Sequence, residues 1–274
     1  MNLGIIGTGN MGRILVEALI DSKAISPSSM IITNRTKSKA MLLKDKYREI
    51  RVGATPEEVA AQSDLLFICV KPLDIYKLLD DINPHLNDEK CLISITSPVS
   101  TSQIEKKVSC SVIRVIPSIT NRALSGVSLL TYGENCSDLW REKIGTLITK
   151  ISVPVSIDEN ITRVASDIVS CGPAFFSYLL QRFIQAAVKE TEIDEATATI
   201  FASEMIVGLG ELLKQGHYTL PSLQEKVCVK GGITGEGIKV LDNELGNVFE
   251  HLFQATHAKF KEDLDKVELQ FSTH

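Results

Sequence analysis

The chain has 274 residues, 44% of them hydrophobic and 23% charged, with a net charge of −5; this is an ordinary globular balance with room for two domains. Its lysines and arginines are scattered with no basic stripe, which argues against a nucleic-acid partner. No apolar run approaches the ~20 residues of a membrane span and no charged leader precedes the first strand, so the expectation is a cytoplasmic protein without a membrane partner.

Asn2 to Ile6 reads as a short apolar strand, and Gly7, Gly9 and Gly12 follow it as G-x-G-x-x-G. A helix starts at once, with Met11, Ile14, Leu15, Ala18 and Leu19 on one face. In a dinucleotide site, Gly7 makes the tight turn out of the strand and Gly9 lets backbone approach a pyrophosphate. Gly12 lets the helix pack on the strand. The helix N-terminus offers free N–H groups and a positive dipole end to the phosphates. The cofactor-binding candidates are therefore Gly7, Thr8, Gly9, Asn10, Met11 and Gly12.

Met30 to Ile32 reads as the second strand. Ile50 to Val52, Leu65 to Val70, Cys91 to Ile95, Ser111 to Ile116, Val127 to Thr131 and Ser152 to Ile157 read as further strands. Helices are expected at Pro56 to Gln62, Pro72 to Ile82, Ser102 to Lys107 and Leu139 to Ile151. Continuous apolar strands alternating with helices predict a Rossmann-type doubly wound parallel sheet over residues 1–157. From residue 158 the strand signal stops. Ile161 to Glu190 reads as one helix broken at Gly172-Pro173, followed by helices at Ala196 to Lys214 and Leu245 to Val267. So much apolar helix in residues 158–274 exceeds what one subunit buries, which predicts an all-α domain that forms a homodimer. The six cysteines contain no C-x-x-C pair and read as reduced thiols. His251 and His257 do not share a helix face, so no metal is expected.

An NAD site usually has an acid at the end of the second strand, roughly 20 residues past the glycines. Here Asn34 stands 22 residues after Gly12 and Arg35 follows. Arg35 suits a 2′-phosphate, with Thr36 donating and Lys37 nearby. NADP(H) is favoured, and NAD(H) is the less expected cofactor. The alternative is that Arg35 and Lys37 belong to a solvated turn.

The stretches IIGTGNMG, TNR, FICVKP, VIRVIP, SCGPAFF and KGGITGEGI resemble the pyrroline-5-carboxylate reductase family over nearly the whole chain, most like its shorter late-competence paralogues. The resemblance implies a Rossmann domain, a helical dimerisation domain and reduction of a cyclic imine carboxylate to proline with NAD(P)H. It places Val70, Lys71 and Pro72 beside the nicotinamide. It places Ser170, Cys171, Gly172, Pro173, Gly231, Gly232 and Thr234 around the substrate, in a cleft between the domains. Thr234 falls at the hydroxyl position near the ring nitrogen and is the catalytic candidate; on residues alone it reads as a helix cap.

Several positions depart from the family pattern. Met-Pro-Asn-Thr-Pro is Ile116-Pro117-Ser118-Ile119-Thr120. Ser-Gly-Ser-Gly-Pro is Val169-Ser170-Cys171-Gly172-Pro173, and Ser-Pro before the glycines is Val229-Lys230. Val169 and Val229 replace two expected hydroxyls, each loss costing about 1–3 kcal/mol if a buried carboxylate needs the donor. The expected activity is an NADPH-dependent imine-acid reductase, with a non-catalytic NADP-binding regulatory dimer as the alternative. A 3-hydroxyacid dehydrogenase is disfavoured, because Val164 to Gln181 contains neither Lys nor His.

Overall fold

Short buried apolar runs build an eight-stranded sheet in the computed structural model, which describes residues 1–272. The strands are β1 (Leu3–Ile6), β2 (Met30–Thr33), β3 (Arg51–Val52), β4 (Leu65–Ile68), β5 (Cys91–Ser94), β6 (Ser111–Ile116), β7 (Val127–Tyr132) and β8 (Val153–Ser156), in the order β3-β2-β1-β4-β5-β6-β7-β8. Helices α1 (Asn10–Asp21), α2 (Lys37–Lys46), α3 (Pro56–Ala61), α4 (Pro72–Ile82), α5 (Thr101–Glu105) and α6 (Asp138–Thr149) connect them.

Strand alternation sends successive side chains to opposite faces. Leu3 and Ile5 join Leu15, Val16 and Leu19 of α1 and Trp140, Ile144 and Ile148 of α6 in one core. Ile6 joins Val59 of α3, Ile75 and Leu79 of α4 and Ile104 of α5 in the other. The sheet is thus doubly wound, with β1 third from one edge, between β2 and β4.

The last two strands correct the all-parallel expectation. β7 runs antiparallel to β6, with Ile113 opposite Tyr132 and Ile116 opposite Leu129, and β8 is parallel to β7. The link from Ile116 to Val127 is shorter than the dozen or more residues a parallel crossover requires. It forms a 3-10 turn over Ile119–Ala123 instead.

Further helices are α7 (Thr162–Ser166), α8 (Gly172–Glu190), α9 (Glu195–Lys214), α10 (Leu220–Val227), α11 (Ile233–Glu244) and α12 (Val248–Ser272). The break expected at Gly172-Pro173 falls one turn earlier. Asp167–Cys171 is a π turn, and Gly172 opens α8. Pro173 has no N–H for the carbonyl of Val169, so the turn ahead of it widens.

The chain divides into two compact units: Met1–Pro173 together with the chain from Ala255, and Ala174–Gln254. This is a different division from one at residue 158, because α7, the π turn and the end of α12 pack with the sheet. Val267 is fully buried in the second core, and the Phe271 ring meets Tyr76 edge-on at 5.0 Å. In the unit 174–254, Phe176, Phe183, Ile200 and Phe201 are each more than 60% exposed. Contrary to the sequence expectation, α9 is long and apolar enough to cross a membrane by length and composition, with mean hydropathy 1.4.

Glu17 is an exception in the apolar face of α1. It is buried, and its carboxylate lies 3.0 Å from Lys46 Nζ, 2.9 Å from Arg122 Nε and 3.3 Å from Arg13 Nε. Burial alone raises the Glu17 carboxyl, but hydrogen bonds and charge from Lys46 and Arg13 outweigh it and hold it below the usual range. A group lowered on folding contributes stability above its unfolded value, lost as pH falls through the folded one. As pH falls below ~4.3, through the lowered Glu17 carboxyl, the melting temperature of Glu17→Gln should therefore fall less than that of the wild type. An equal fall in both proteins would refute this.

Candidate functional site

β1 ends at the point where strand order reverses, between β2 and β4, and open α/β sheets bind ligands at the carboxyl ends there. Gly7 turns the chain out of β1 with φ +100°, a left-handed conformation open to glycine. Its N–H donates to Thr33 O at 2.9 Å, and Cys69 N–H donates to Ile6 O at 2.8 Å. A Cβ on Gly7 would stand 2.5 Å from Cys69 O. A Cβ on Gly12 would stand 2.0 Å from Gly7 O, so helix and turn meet there backbone to backbone.

Gly9 differs from both. It is the N-cap of α1, makes no side-chain cap bond, and a Cβ there would meet nothing within 4 Å. The first turn of α1 therefore presents its N–H groups to open space. The hydroxyl of Thr8 is buried beside it without a hydrogen-bond partner among the described residues. An open cradle, free helix amides and an orphaned buried hydroxyl fit a bound pyrophosphate.

Asn34 is committed to the protein. Its Oδ1 accepts from Thr8 N–H at 2.9 Å and its Nδ2 donates to Thr36 O at 3.0 Å. It ties the end of β2 to the glycine loop. Arg35, next to it, is exposed. Thr36 is the N-cap of α2 with its hydroxyl uncommitted to the cap, and Lys37 opens that helix. Val70 lies against the turn, 3.3 Å from the Gly7 Cβ position. Lys71 is the N-cap of α4 without a side-chain cap bond, and Pro72 takes the first helical position, where its missing N–H costs nothing. The structure thus gathers Gly7–Gly12, Asn34–Thr36 and Val70–Pro72 at adjacent strand ends.

A second group lies after β6. Ser170 Oγ donates to Pro117 O at 2.7 Å, fastening the π turn to the end of that strand. Asp167 in the same turn has a fully buried side chain, which accepts from Arg163 Nη2 and Thr256 Oγ1, each at 2.8 Å, and lies 3.7 Å from His257 Nε2. Cys171 Sγ is 3.5 Å from Arg163 Nη2. Burial pushes the Cys171 thiol up, outweighing the pull of Arg163. The π form recurs at functional sites. Sequence reading names Ser170 and Cys171 here but misses Asp167 and its partners Arg163, Thr256 and His257, for which the one signal is an acid, Asp167, amid apolar helix.

Ser118, in the place of the family's asparagine, is buried. Its N–H donates to Asn121 Oδ1 at 2.8 Å and its Oγ accepts from Thr120 Oγ1 at 2.9 Å, so both groups are used within the turn.

In the other unit, Gly231 has φ +74° and Gly232 caps α11. A Cβ on Gly232 would lie 2.7 Å from Val229 Cγ2. Thr234 is exposed at the second position of α11 and makes no side-chain hydrogen bond among the described residues. This corrects the cap reading: a residue inside the first turn has passed the capping position, which Gly232 holds.

Residues 159–263 match a family model described as pyrroline-5-carboxylate reductase dimerisation, and residues 2–98 match NADP oxidoreductase, coenzyme F420-dependent. ComE operon protein 4 of Bacillus subtilis is 56% identical over 99% of both chains. A pyrroline-5-carboxylate reductase of Methanobrevibacter smithii is 30% identical over 88% of this chain and 97% of its own. The solved Plasmodium falciparum pyrroline carboxylate reductase with NADP bound has a TM-score of 0.83 at 22% identity, covering 97% of this chain and 98% of that one. Fold, glycine loop and family models define the class, an NADP oxidoreductase with a Rossmann-type sheet and a helical domain. Within that class, the chain belongs to the pyrroline-5-carboxylate reductase family.

Proposed function

We propose that the protein is an NADPH-dependent reductase of a cyclic imine carboxylate, pyrroline-5-carboxylate or a close analogue, acting as a homodimer in the cytoplasm. The observation that carries the reading is the open cradle at Gly9, flanked by the orphaned Thr8 hydroxyl. Family membership supplies the substrate class, and six free thiols accord with a reducing compartment.

In this reading the N–H groups of Asn10 to Gly12 hold the pyrophosphate, and Arg35 forks onto the 2′-phosphate with Thr36 and Lys37 beside it. NADPH, when bound, supplies a hydride to an imine carbon. The amides that open α11 at Gly232 hold the substrate carboxylate. The Thr234 hydroxyl donates to the imine nitrogen and passes it a proton from water. Ser170 and Cys171 at the end of the π turn, with Gly172 and Pro173 at the start of α8, shape the ring pocket.

Two substitutions test the roles. Arg35→Ala should weaken NADPH by roughly 10- to 100-fold, about 1–3 kcal/mol, and leave NADH unchanged. Equal fluorescence titrations for NADPH and NADH in the wild type would remove the 2′-phosphate contact. Thr234→Ala should lower kcat by about 100-fold or more with NADPH affinity and melting temperature intact.

The regulatory reading has its own support: Val229 and Val169 stand where the family has hydroxyls, and Val229 is 66% exposed. The deciding experiment is NADPH oxidation with pyrroline-5-carboxylate as substrate. Turnover establishes the reductase. NADPH binding without turnover on any cyclic imine acid establishes the regulatory dimer.

A further inference from the structure

A charged clasp joins the nucleotide-loop helix α1 to the connection that follows β6. Arg122 lies in the 3-10 turn Ile119–Ala123. Its Nε donates to Glu17 Oε2 at 2.9 Å and its Nη1 lies 2.9 Å from Asp21 Oδ2, one helical turn further along α1. Asp21 is itself held by Tyr47, whose hydroxyl donates to Oδ1 at 3.0 Å.

Glu17 does not need Arg122 for neutralisation. Lys46 and Arg13 already lie within 3.3 Å of the same carboxylate. The Arg122 side chain is 40% exposed, and an ion pair with so accessible a partner adds little to stability. Its two-pronged grip on two turns of one helix does fix the register of the segment that carries it.

That segment is stiff and leads to the π turn. Asn121, fully buried, accepts from Ser118 N–H at 2.8 Å and from Ser128 Oγ at 3.2 Å, and donates to Ser125 O at 3.0 Å. Pro117, at the head of the segment, accepts from Ser170 Oγ at 2.7 Å. A continuous path of short contacts therefore runs from α1 through Glu17 and Arg122 to Pro117 and then to Ser170.

We propose that Arg122 is a positioning residue: by clasping Glu17 and Asp21 it sets the Pro117–Leu124 connection against α1, so that nucleotide at Gly7–Gly12 orders the Ser170 turn. This rests on the reading of Gly7–Gly12 as the NADPH cradle. Coupling of this kind requires a measured response at both ends of the path.

Hydrogen exchange on the full chain, with and without NADPH, supplies it. In the free protein, Arg122→Ala should speed exchange about tenfold at Ser118–Leu124 and at Ile168–Cys171, with melting close to wild type. In the wild type, NADPH should protect Gly7–Gly12 and both of those segments. In Arg122→Ala it should protect Gly7–Gly12 alone, and Arg122→Lys, which keeps the charge but loses the fork, should fall between. Unchanged exchange at both segments in free Arg122→Ala overturns the clasp. Protection at Gly7–Gly12 without any at Ser118–Leu124 in the wild type overturns the transmission alone. No protection at Gly7–Gly12 overturns the NADPH reading and the transmission with it.

Discussion

Gly12→Ala is expected to destabilise the sheet unit by about 3 kcal/mol or more and to abolish NADPH binding. Its added Cβ would sit 2.0 Å from Gly7 O, a backbone atom that moves only if the turn opens. Gly7 already occupies a left-handed φ, and its N–H is held by Thr33 O, so the turn has no slack. The melting temperature should drop by roughly 6–12 °C. Gly9→Ala is the contrast. Its Cβ meets no protein atom within 4 Å, and its backbone is extended with φ −69°, so folding should be unaffected. The same methyl would stand where the pyrophosphate comes to the helix amides, and NADPH should weaken by roughly tenfold or more. Calorimetry and a titration on both variants separate packing from binding. A Gly9→Ala protein that binds NADPH like the wild type would show that the cradle is not a phosphate site.

Light scattering at micromolar concentration is expected to give twice the 30.1 kDa chain mass. The reason is the apolar surface of the unit 174–254. Phe183 is 65% exposed, Phe201 64% and Ile200 61%, while Ala198 and Ala202 are the buried residues of α9. Apolar side chains this exposed are expected to be covered by a second copy of the chain, and an obligate interface should exceed ~2,000 Å² in total. The same surface gives α9 its membrane-like composition; Glu204 and Glu211 on that helix suit a protein interface better than hydrocarbon. Phe201→Glu combined with Met205→Glu should yield monomer or lose the folded state, since two carboxylates cannot be buried without partners. A stable wild-type monomer, or a double variant that still dimerises, would refute the interface.

Strands and helices of the sheet unit were legible because their signals are local. Leu65 to Ile68 is a continuous apolar run, and every residue of it is buried. Pro56 and Pro72 announced the starts of α3 and α4 by standing at the first helical position. The short helix α10 was passed over; only Thr219, which caps it in a reciprocal bond with Ser222, and Pro221 mark it. At the site, the glycines were legible because each requirement is a property of one backbone position. Asn34 was legible as an absent acid, but its task of tying Thr8 to the end of β2 was not, since an amide in a loop has many possible partners.

By itself, then, the sequence determined the alternation of strand and helix, the glycine turn opening α1, the missing acid after β2 and the change to an all-helical chain. Each follows from residues within a few positions of one another, through φ restriction, burial periodicity or charge. Tertiary structure alone decided the π turn ahead of Gly172 and the partners of the buried acids. Glu17 meets Arg122 across 105 positions and Asp167 meets Thr256 across 89. A buried carboxylate must find donors, but which segment brings them depends on how the sheet is wound, and that is a property of the whole core rather than of any stretch of chain.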